Sequence, residues 1–314
     1  MTDDRLDVSV VVPVFNEEAN LDELHRRLTA TLTGLGRPYE IIYVDDGSAD
    51  GSLAKLEAFA QADPRITAIE LNRNYGQHAA VFAGMAATRG TIVVTLDADL
   101  QNPPEEIPLL VAKMDEGYDV VGTRRKNRQD PLFRKIASRL INRVAGGSMT
   151  DYGCMLRAYR REVVEQIGQC HEISSFIPLL ATLFAKKVTE IDVEHAERAR
   201  GATKYGLRKL ISLQFDLVTG FSFLPLRLMT YFGGLVAAGA FGLGIYILVM
   251  RILRGDAWTQ AGVFTLFAVL FFMVGLLFVC LGVLGEYVGR IYGEVRQRPR
   301  YVIRRTLRQD GPTP

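Results

Sequence analysis

Two carboxylates separated by a single residue, Asp97 and Asp99, close a β-branched run that begins at Thr91. Gln101 follows, and then the breaker pair Pro103-Pro104. Residues i and i+2 of an extended strand project to the same side, so the two acids are expected to converge at the strand's C-terminal end. Open α/β sheets bind their ligands at that end. Two carboxylates and a side-chain amide suit a hard divalent cation, Mg²⁺ or Mn²⁺, which in turn would hold a diphosphate. An isolated Asp-x-Asp is more often a plain polar turn. Here other acids accompany it: Glu17 follows the first apolar run, and Asp45 and Asp46 follow the second. For Glu17 two readings stay open, a contact at a nucleotide and a favourable charge in the first turn of a helix.

The elements that must position these residues alternate. Strands are expected over residues 8–15, 40–44 and 66–71, and a fourth from Thr91. Between them, Leu21, Leu24, Leu28 and Leu32 recur at helical spacing, a second helix covers 51–62, and a small-residue helix covers 79–88 after the polar loop 72–78. The pattern predicts a largely parallel sheet covered on both faces. No G-x-G-x-x-G follows the first strand and no G-x-x-x-x-G-K-[ST] occurs. A dinucleotide fold and a P-loop are therefore excluded.

Of the 314 residues 48% are apolar, and the net charge of +2 conceals a division near residue 200. Residues 201–314 carry 13 Lys and Arg against 5 Asp and Glu; the remainder carries 24 against 30. A mildly acidic body with a basic, apolar tail points to a bilayer with anionic headgroups. The basic residues flank apolar spans instead of forming one stripe, which argues against nucleic acid. Residues 206–226 mix Leu, Ile and Phe with charges, as an interfacial amphipathic helix does. Residues 228–250 and 261–285 are uncharged, each long enough for a hydrocarbon core of ~30 Å. Arginines cluster beyond the second span, with only Arg251 and Arg254 in the turn, so both chain ends are expected in the cytoplasm. The expected organisation is a cytosolic domain over 1–205, an interfacial region over 206–227, a transmembrane hairpin over 228–285 and a basic cytosolic tail over 286–314. Cys154, Cys170 and Cys280 form no paired framework and read as reduced.

Val12-Pro-Val-Phe-Asn-Glu-Glu18, Val44-Asp-Asp-Gly-Ser-Ala-Asp50 and Leu96-Asp-Ala-Asp-Leu-Gln-Asn-Pro-Pro104 resemble the family 2 inverting glycosyltransferases of the GT-A fold. Within them the chain is similar to the polyprenyl-phosphate glycosyltransferases. Leu71-Asn-Arg-Asn-Tyr-Gly-Gln-His78, Asp151-Tyr-Gly-Cys-Met-Leu-Arg-Ala-Tyr-Arg160 and Leu284-Gly-Glu-Tyr-Val-Gly-Arg-Ile-Tyr292 narrow the likeness. They resemble the branch that moves 4-deoxy-4-formamido-L-arabinose from UDP to undecaprenyl phosphate on the bacterial inner membrane, in lipid A modification and polymyxin resistance.

The resemblance implies site roles. Pro13, Phe15, Glu17 and Asp45 would border the nucleotide, and Asp46 would contact the uracil. Asp97, Asp99 and Gln101 would hold the metal and the donor diphosphate, with Arg200 and Lys204 on a basic loop closing over the phosphates. Arg124, Arg134 and Ser138 would hold the acceptor phosphate. Asp151 stands where related enzymes often place a catalytic carboxylate; pairing with neighbouring arginines is the other reading. Phe15 replaces a Tyr common among relatives, keeping the stacking surface without the hydroxyl. We expect a homo-oligomeric, metal-dependent enzyme. Mannosyl or glucosyl transfer, or a non-catalytic nucleotide-sugar-binding scaffold, are the competing readings.

Overall fold

The computed structural model describes residues 6–125, 149, 153–170, 176–193, 224–254, 263–296 and 298–309. Two compact units are formed, Met1–Lys204 with Arg298–Pro314, and Tyr205–Gln297.

In the first unit, β1 (Val8–Val14) pairs in parallel with β2 (Tyr39–Asp45) on one side and β4 (Ile92–Thr95) on the other. β3 (Ile66–Leu71) extends the parallel set beyond β2. β6 (Arg157–Arg160) runs antiparallel beside β4, and β5 (Val120–Arg125) and β7 (Val188–Val193) complete that flank as a parallel pair. β8 (Ile303–Leu307) lies antiparallel on the outer edge of β3. Every residue of β1, β2 and β3 is buried, as strands covered on both faces require.

Pro13 sits in a central strand, where proline is normally excluded. Val11 faces β4, its carbonyl accepting Leu96 N at 3.0 Å, while Val14 faces β2 by accepting Asp46 N at 2.8 Å. Alternation then puts Pro13 on the β4 side, where the β4 ladder has already ended opposite Val11. No strand bond is lost.

One face is covered by α1 (Glu18–Gly34) and α2 (Ser52–Ala62), α1 burying the four leucines spaced for it. On the other, α3 (Gln77–Ala86) comes close because it is built from small residues. A Cβ on Gly84 would lie 2.3 Å from Val11 Cγ1, so any side chain there would force the helix away. α4 (Ile107–Asp115), α5 (Arg161–Gln169) and α6 (Ile177–Phe184) complete the described helices of this unit.

The second unit contains α7 (Leu224–Arg254) and α8 (Val263–Val295). Both are long and apolar enough to cross a membrane, over Leu228–Ile247 and Val269–Gly293. Tyr231, Leu235, Phe241, Phe271 and Phe278 stand exposed along them, a surface suited to lipid and not to water.

Three expectations change. The strand bearing the acidic motif ends at Thr95, so Asp97 and Asp99 lie in a turn and strand alternation does not align them. Residues 224–227 belong to α7, with Pro225 in the first turn where its missing N–H is harmless. The basic tail expected over 286–314 divides between the end of α8 and a strand of the sheet. Residues 206–223 of the expected interfacial helix lie outside the described residues.

Candidate active site

The parallel strands all point their C-terminal ends at one edge of the sheet, where backbone and side-chain hydrogen bonds lace the loops together. Asn16, in the left-handed region at φ 56° that asparagine tolerates, leaves β1 and donates its N–H to Ser48 Oγ at 3.0 Å. Its Oδ1 accepts Ala49 N at 2.8 Å, and Glu17 N reaches Ser52 Oγ at 3.0 Å. The loops after β1 and β2 thus form one surface.

The loop after β3 is drawn onto them by Asp46. Its Oδ1 accepts Tyr75 N at 2.7 Å and its Oδ2 accepts Gly76 N at 2.8 Å. Gly47 makes the approach possible: at φ +72° a Cβ would be 2.7 Å from backbone atoms of Arg73 and Asn74. Burial pushes the Asp46 carboxyl up, and the two amides offset only part of that rise. Asp45 is pushed up by burial as well; Ser48 N binds its Oδ2 at 3.1 Å, while Oδ1 is enclosed without a hydrogen-bond partner.

After β4 the chain turns through Asp97, Ala98 and Asp99. Leu100 has φ 60°, a left-handed conformation that opposes its Cβ and stores strain of order 1–2 kcal/mol. That twist lets Gln101 N donate to Asp99 Oδ1 at 3.1 Å. Gln77, at the start of α3, donates its side-chain amide to Asp97 Oδ1. Three strand ends therefore communicate through the 72–77 loop, which holds Asp46 with its backbone and Asp97 with a side chain.

Two acids and an amide fit Mg²⁺ or Mn²⁺ bound through one or two carboxylates plus substrate phosphates. Among the described residues no group of three His, Cys, Asp or Glu assembles.

At the other flank, Arg124 lies at the end of β5. The pairing of Thr95 with Arg157, and of Val121 with Ala158, sets Arg124 level with the start of the acidic turn. It stands two strand spacings away, ~10 Å. Its guanidinium grips Asp192 of β7, with Nε and Nη2 at 2.6 and 3.0 Å from the two carboxylate oxygens.

Residues 9–168 match the model of glycosyl transferase family 2, just over half of the chain. The chain belongs to glycosyl transferase family 2. Its residues 224–291 match the GtrB C-terminal hairpin. It is 54% identical over 307 residues to an undecaprenyl-phosphate 4-deoxy-4-formamido-L-arabinose transferase of Klebsiella pneumoniae, covering 96% of this chain and 94% of that one. It is 54% identical over 305 residues to the transferase of the same description from Salmonella dublin, covering 96% and 93%. Among solved structures it resembles a mycobacterial protein at 20% identity and a TM-score of 0.51, over 68% of this chain and 73% of that one. The fold of the first unit is GT-A.

In this family 2 glycosyltransferase, Phe15, Glu17, Asp46, Asp97, Asp99 and Gln101 fall on the loops at one sheet edge, with Asp45 closing β2 and Pro13 just beneath them. Phe15 is half exposed there, an apolar ring at the rim. Glu17 precedes α1; its carboxylate accepts Asn20 Nδ2 at 2.6 Å and makes no capping bond to a helix N–H. Asp46 has a second role that the sequence reading missed, gathering the 72–77 loop. Arg134, Ser138, Asp151, Arg200 and Lys204 lie outside the described residues. Sequence reasoning also missed Gln77, Asp192 and Arg157. Arg157 is a fully buried guanidinium whose Nε donates to Cys154 O at 2.8 Å. Gln77 and Arg157 lie in stretches that carried the family likeness without a role being read for them; nothing in the sequence signalled Asp192.

Proposed function

We propose that this enzyme transfers 4-deoxy-4-formamido-L-arabinose from its UDP donor to undecaprenyl phosphate at the cytoplasmic face of a bacterial inner membrane. One observation carries the reading: identity of 54% over 96% of the chain with transferases of that description, spanning both the sheet domain and the hairpin.

Phe15 offers its ring to the base of the donor, and Asp46 shapes the loop beneath. Asp97, Asp99 and Gln101 would hold the cation and, with it, the diphosphate. A bound divalent cation would supply Lewis-acid neutralisation of charge on the departing UDP. Gln77 keeps Asp97 oriented. The acceptor is a phosphate monoester with a second pKa near ~6, so much of it is a dianion at neutral pH and needs no strong general base. Its oxygen forms the bond to the anomeric carbon as the bond to the UDP oxygen breaks, inverting that carbon. Arg124, exchanging Asp192 for the lipid phosphate, would orient the nucleophile together with Arg134 and Ser138. Asp151, Arg200 and Lys204 keep their expected roles in this reading. α7 and α8 form a two-span hairpin with both ends in the cytoplasm, consistent with the arginines that follow α8.

The test offers purified enzyme and undecaprenyl phosphate a panel of UDP-sugars with Mg²⁺ or Mn²⁺, and identifies the lipid product by mass. The formamido-arabinosyl lipid is expected. A hexosyl lipid would replace the sugar assignment, and no lipid product from any donor would replace catalysis with a scaffold role.

A further inference from the structure

The C-terminal strand lies outside both family-matched stretches, 9–168 and 224–291. Its contacts concentrate on the loop that organises the acids. Val302 O accepts Asn72 N at 3.0 Å, at the first residue of the 72–77 loop. The β3–β8 register shifts between Glu70 and Leu71, immediately before that loop. Arg304 Nη1 lies 3.0 Å from Glu70, and Arg305 bonds both Glu70 and Glu57. Tyr301 packs on the cluster of Ile42, Val44, Ile69, Leu71, Ala80 and Ala83, against which Tyr75 of the loop also packs. Beyond the loop, the Arg300 guanidinium stands 4.3 Å from the centre of the Phe82 ring on α3 and donates to Cys170 O. The segment therefore fastens the loop at its start and at the helix into which it runs, and shares with it one apolar cluster.

From this clamp we infer that residues 300–305 are positioning residues for the donor site. They act through the 72–77 loop, which places Asp46 by two backbone amides and Asp97 by Gln77. The loop can hold both acids only while its own ends are fixed. Asn72 N finds its backbone partner in Val302, which leads into β8, and α3 is steered by a cation that follows the apolar helices in the chain. The inference deepens the proposed function, since it takes Asp46 and Asp97 as donor-site residues.

The test uses the full-length enzyme in detergent, with Arg300→Ala, Arg300→Lys and Tyr301→Phe, and Gln309→Ala as a control. Gln309 lies on the same segment, and its side chain bonds Gln61 O at 3.1 Å, away from the loop. Hydrogen exchange over peptides containing residues 72–77 reports the clamp, and calorimetric titration with UDP reports the donor site. Arg300→Ala should speed exchange of the Tyr75 and Gly76 amides and weaken UDP binding by about tenfold, the low end for losing a supporting contact. It should raise KM for the sugar donor while leaving kcat within about twofold of wild type. Arg300→Lys, which keeps a cation over Phe82, should recover much of the loss, and Tyr301→Phe should change little because packing is retained. Gln309→Ala should match wild type in both measurements. Unchanged exchange in Arg300→Ala overturns the inference, and so does faster exchange with unaltered UDP affinity. A wild-type protein that fails to bind UDP removes the proposed function instead, and exchange then still decides whether the segment holds the loop.

Discussion

Arg124 and Asp192 face each other across β5 and β7 as a two-point ion pair, at 2.6 and 3.0 Å. Both side chains are exposed, so the pair adds little to stability. Its interest lies in competition, because a guanidinium forked onto one carboxylate presents less of itself to a phosphate. In the proposed reaction Asp192 holds Arg124 until the lipid phosphate arrives.

Asp192→Asn should therefore lower KM for undecaprenyl phosphate several-fold, with unchanged UDP affinity and a nearly unchanged melting temperature. Arg124→Ala should do the opposite and raise it. Steady-state kinetics at varied lipid in mixed micelles check both, and an unaltered acceptor KM in Asp192→Asn removes Arg124 from the acceptor site.

Asp99→Asn keeps the shape of the side chain and its bond from Gln101 N, yet loses the charge. Turnover should fall on the order of 100-fold or more, the scale of removing one preorganised electrostatic partner. Chelation of divalent cations should abolish turnover in wild type, and adding back Mg²⁺ or Mn²⁺ should restore it. Full activity in chelator would take the cation out of the reaction.

Phe15 projects an apolar ring at the rim, half exposed. Stacking a base on an aromatic side chain is worth about 1–3 kcal/mol. Phe15→Ala should weaken UDP binding by that amount in titration calorimetry, while Phe15→Tyr should keep it. Equal affinity in all three proteins would move the base elsewhere.

His25 stacks on Phe59 at 4.0 Å between ring centres and meets the Tyr43 hydroxyl at 3.1 Å. Burial lowers its pKa below 6.5, and His78 is lowered for the same reason. Well above pH 6.5 the imidazole is neutral in both folded and unfolded chains and contributes no pH dependence. As pH falls through 6.5 towards the folded pKa, the unfolded chain binds a proton that the folded one resists, so stability falls. His25→Gln should melt lower than wild type at neutral pH, and the gap should narrow as pH drops below about 6.5. Melting curves of both proteins across that range decide it; a constant gap would mean His25 does not titrate in this window.

The proposed reading puts both chain ends on one side of the membrane. With the three native cysteines replaced, single cysteines at Trp258 and Thr313 should differ towards an impermeant thiol reagent added to intact cells. Only the first should react. Equal labelling would sink the two-span hairpin.

What the sequence made legible is whatever repeats with the period of its own element. The valines of β1, the four leucines of α1 and the uncharged stretches of α7 and α8 announce their burial or their lipid exposure. The acids at the strand ends were legible too, because the fold collects such ends at one edge. Contacts between residues distant along the chain were not. Gln77 with Asp97 and Arg124 with Asp192 follow from how loops and strands settle, and no spacing encodes them. Residues 303–307 misled for a definite reason. Arg304 and Arg305 suggested a tail drawn to anionic headgroups, whereas their charges are matched by Glu70 and Glu57 in the folded domain.

Synthesis order gives β8 one more consequence. Arg305 is made 235 residues after Glu70, its partner on β3, and both α7 and α8 are made in between. While the chain emerges, β3 keeps a bare outer edge, and such an edge invites pairing with other chains. The sheet can be capped only after the second long helix has left the ribosome. A nascent chain that stops within the hairpin is left with an open sheet and a slack 72–77 loop, so a competent domain is also a sign that both apolar helices have been completed.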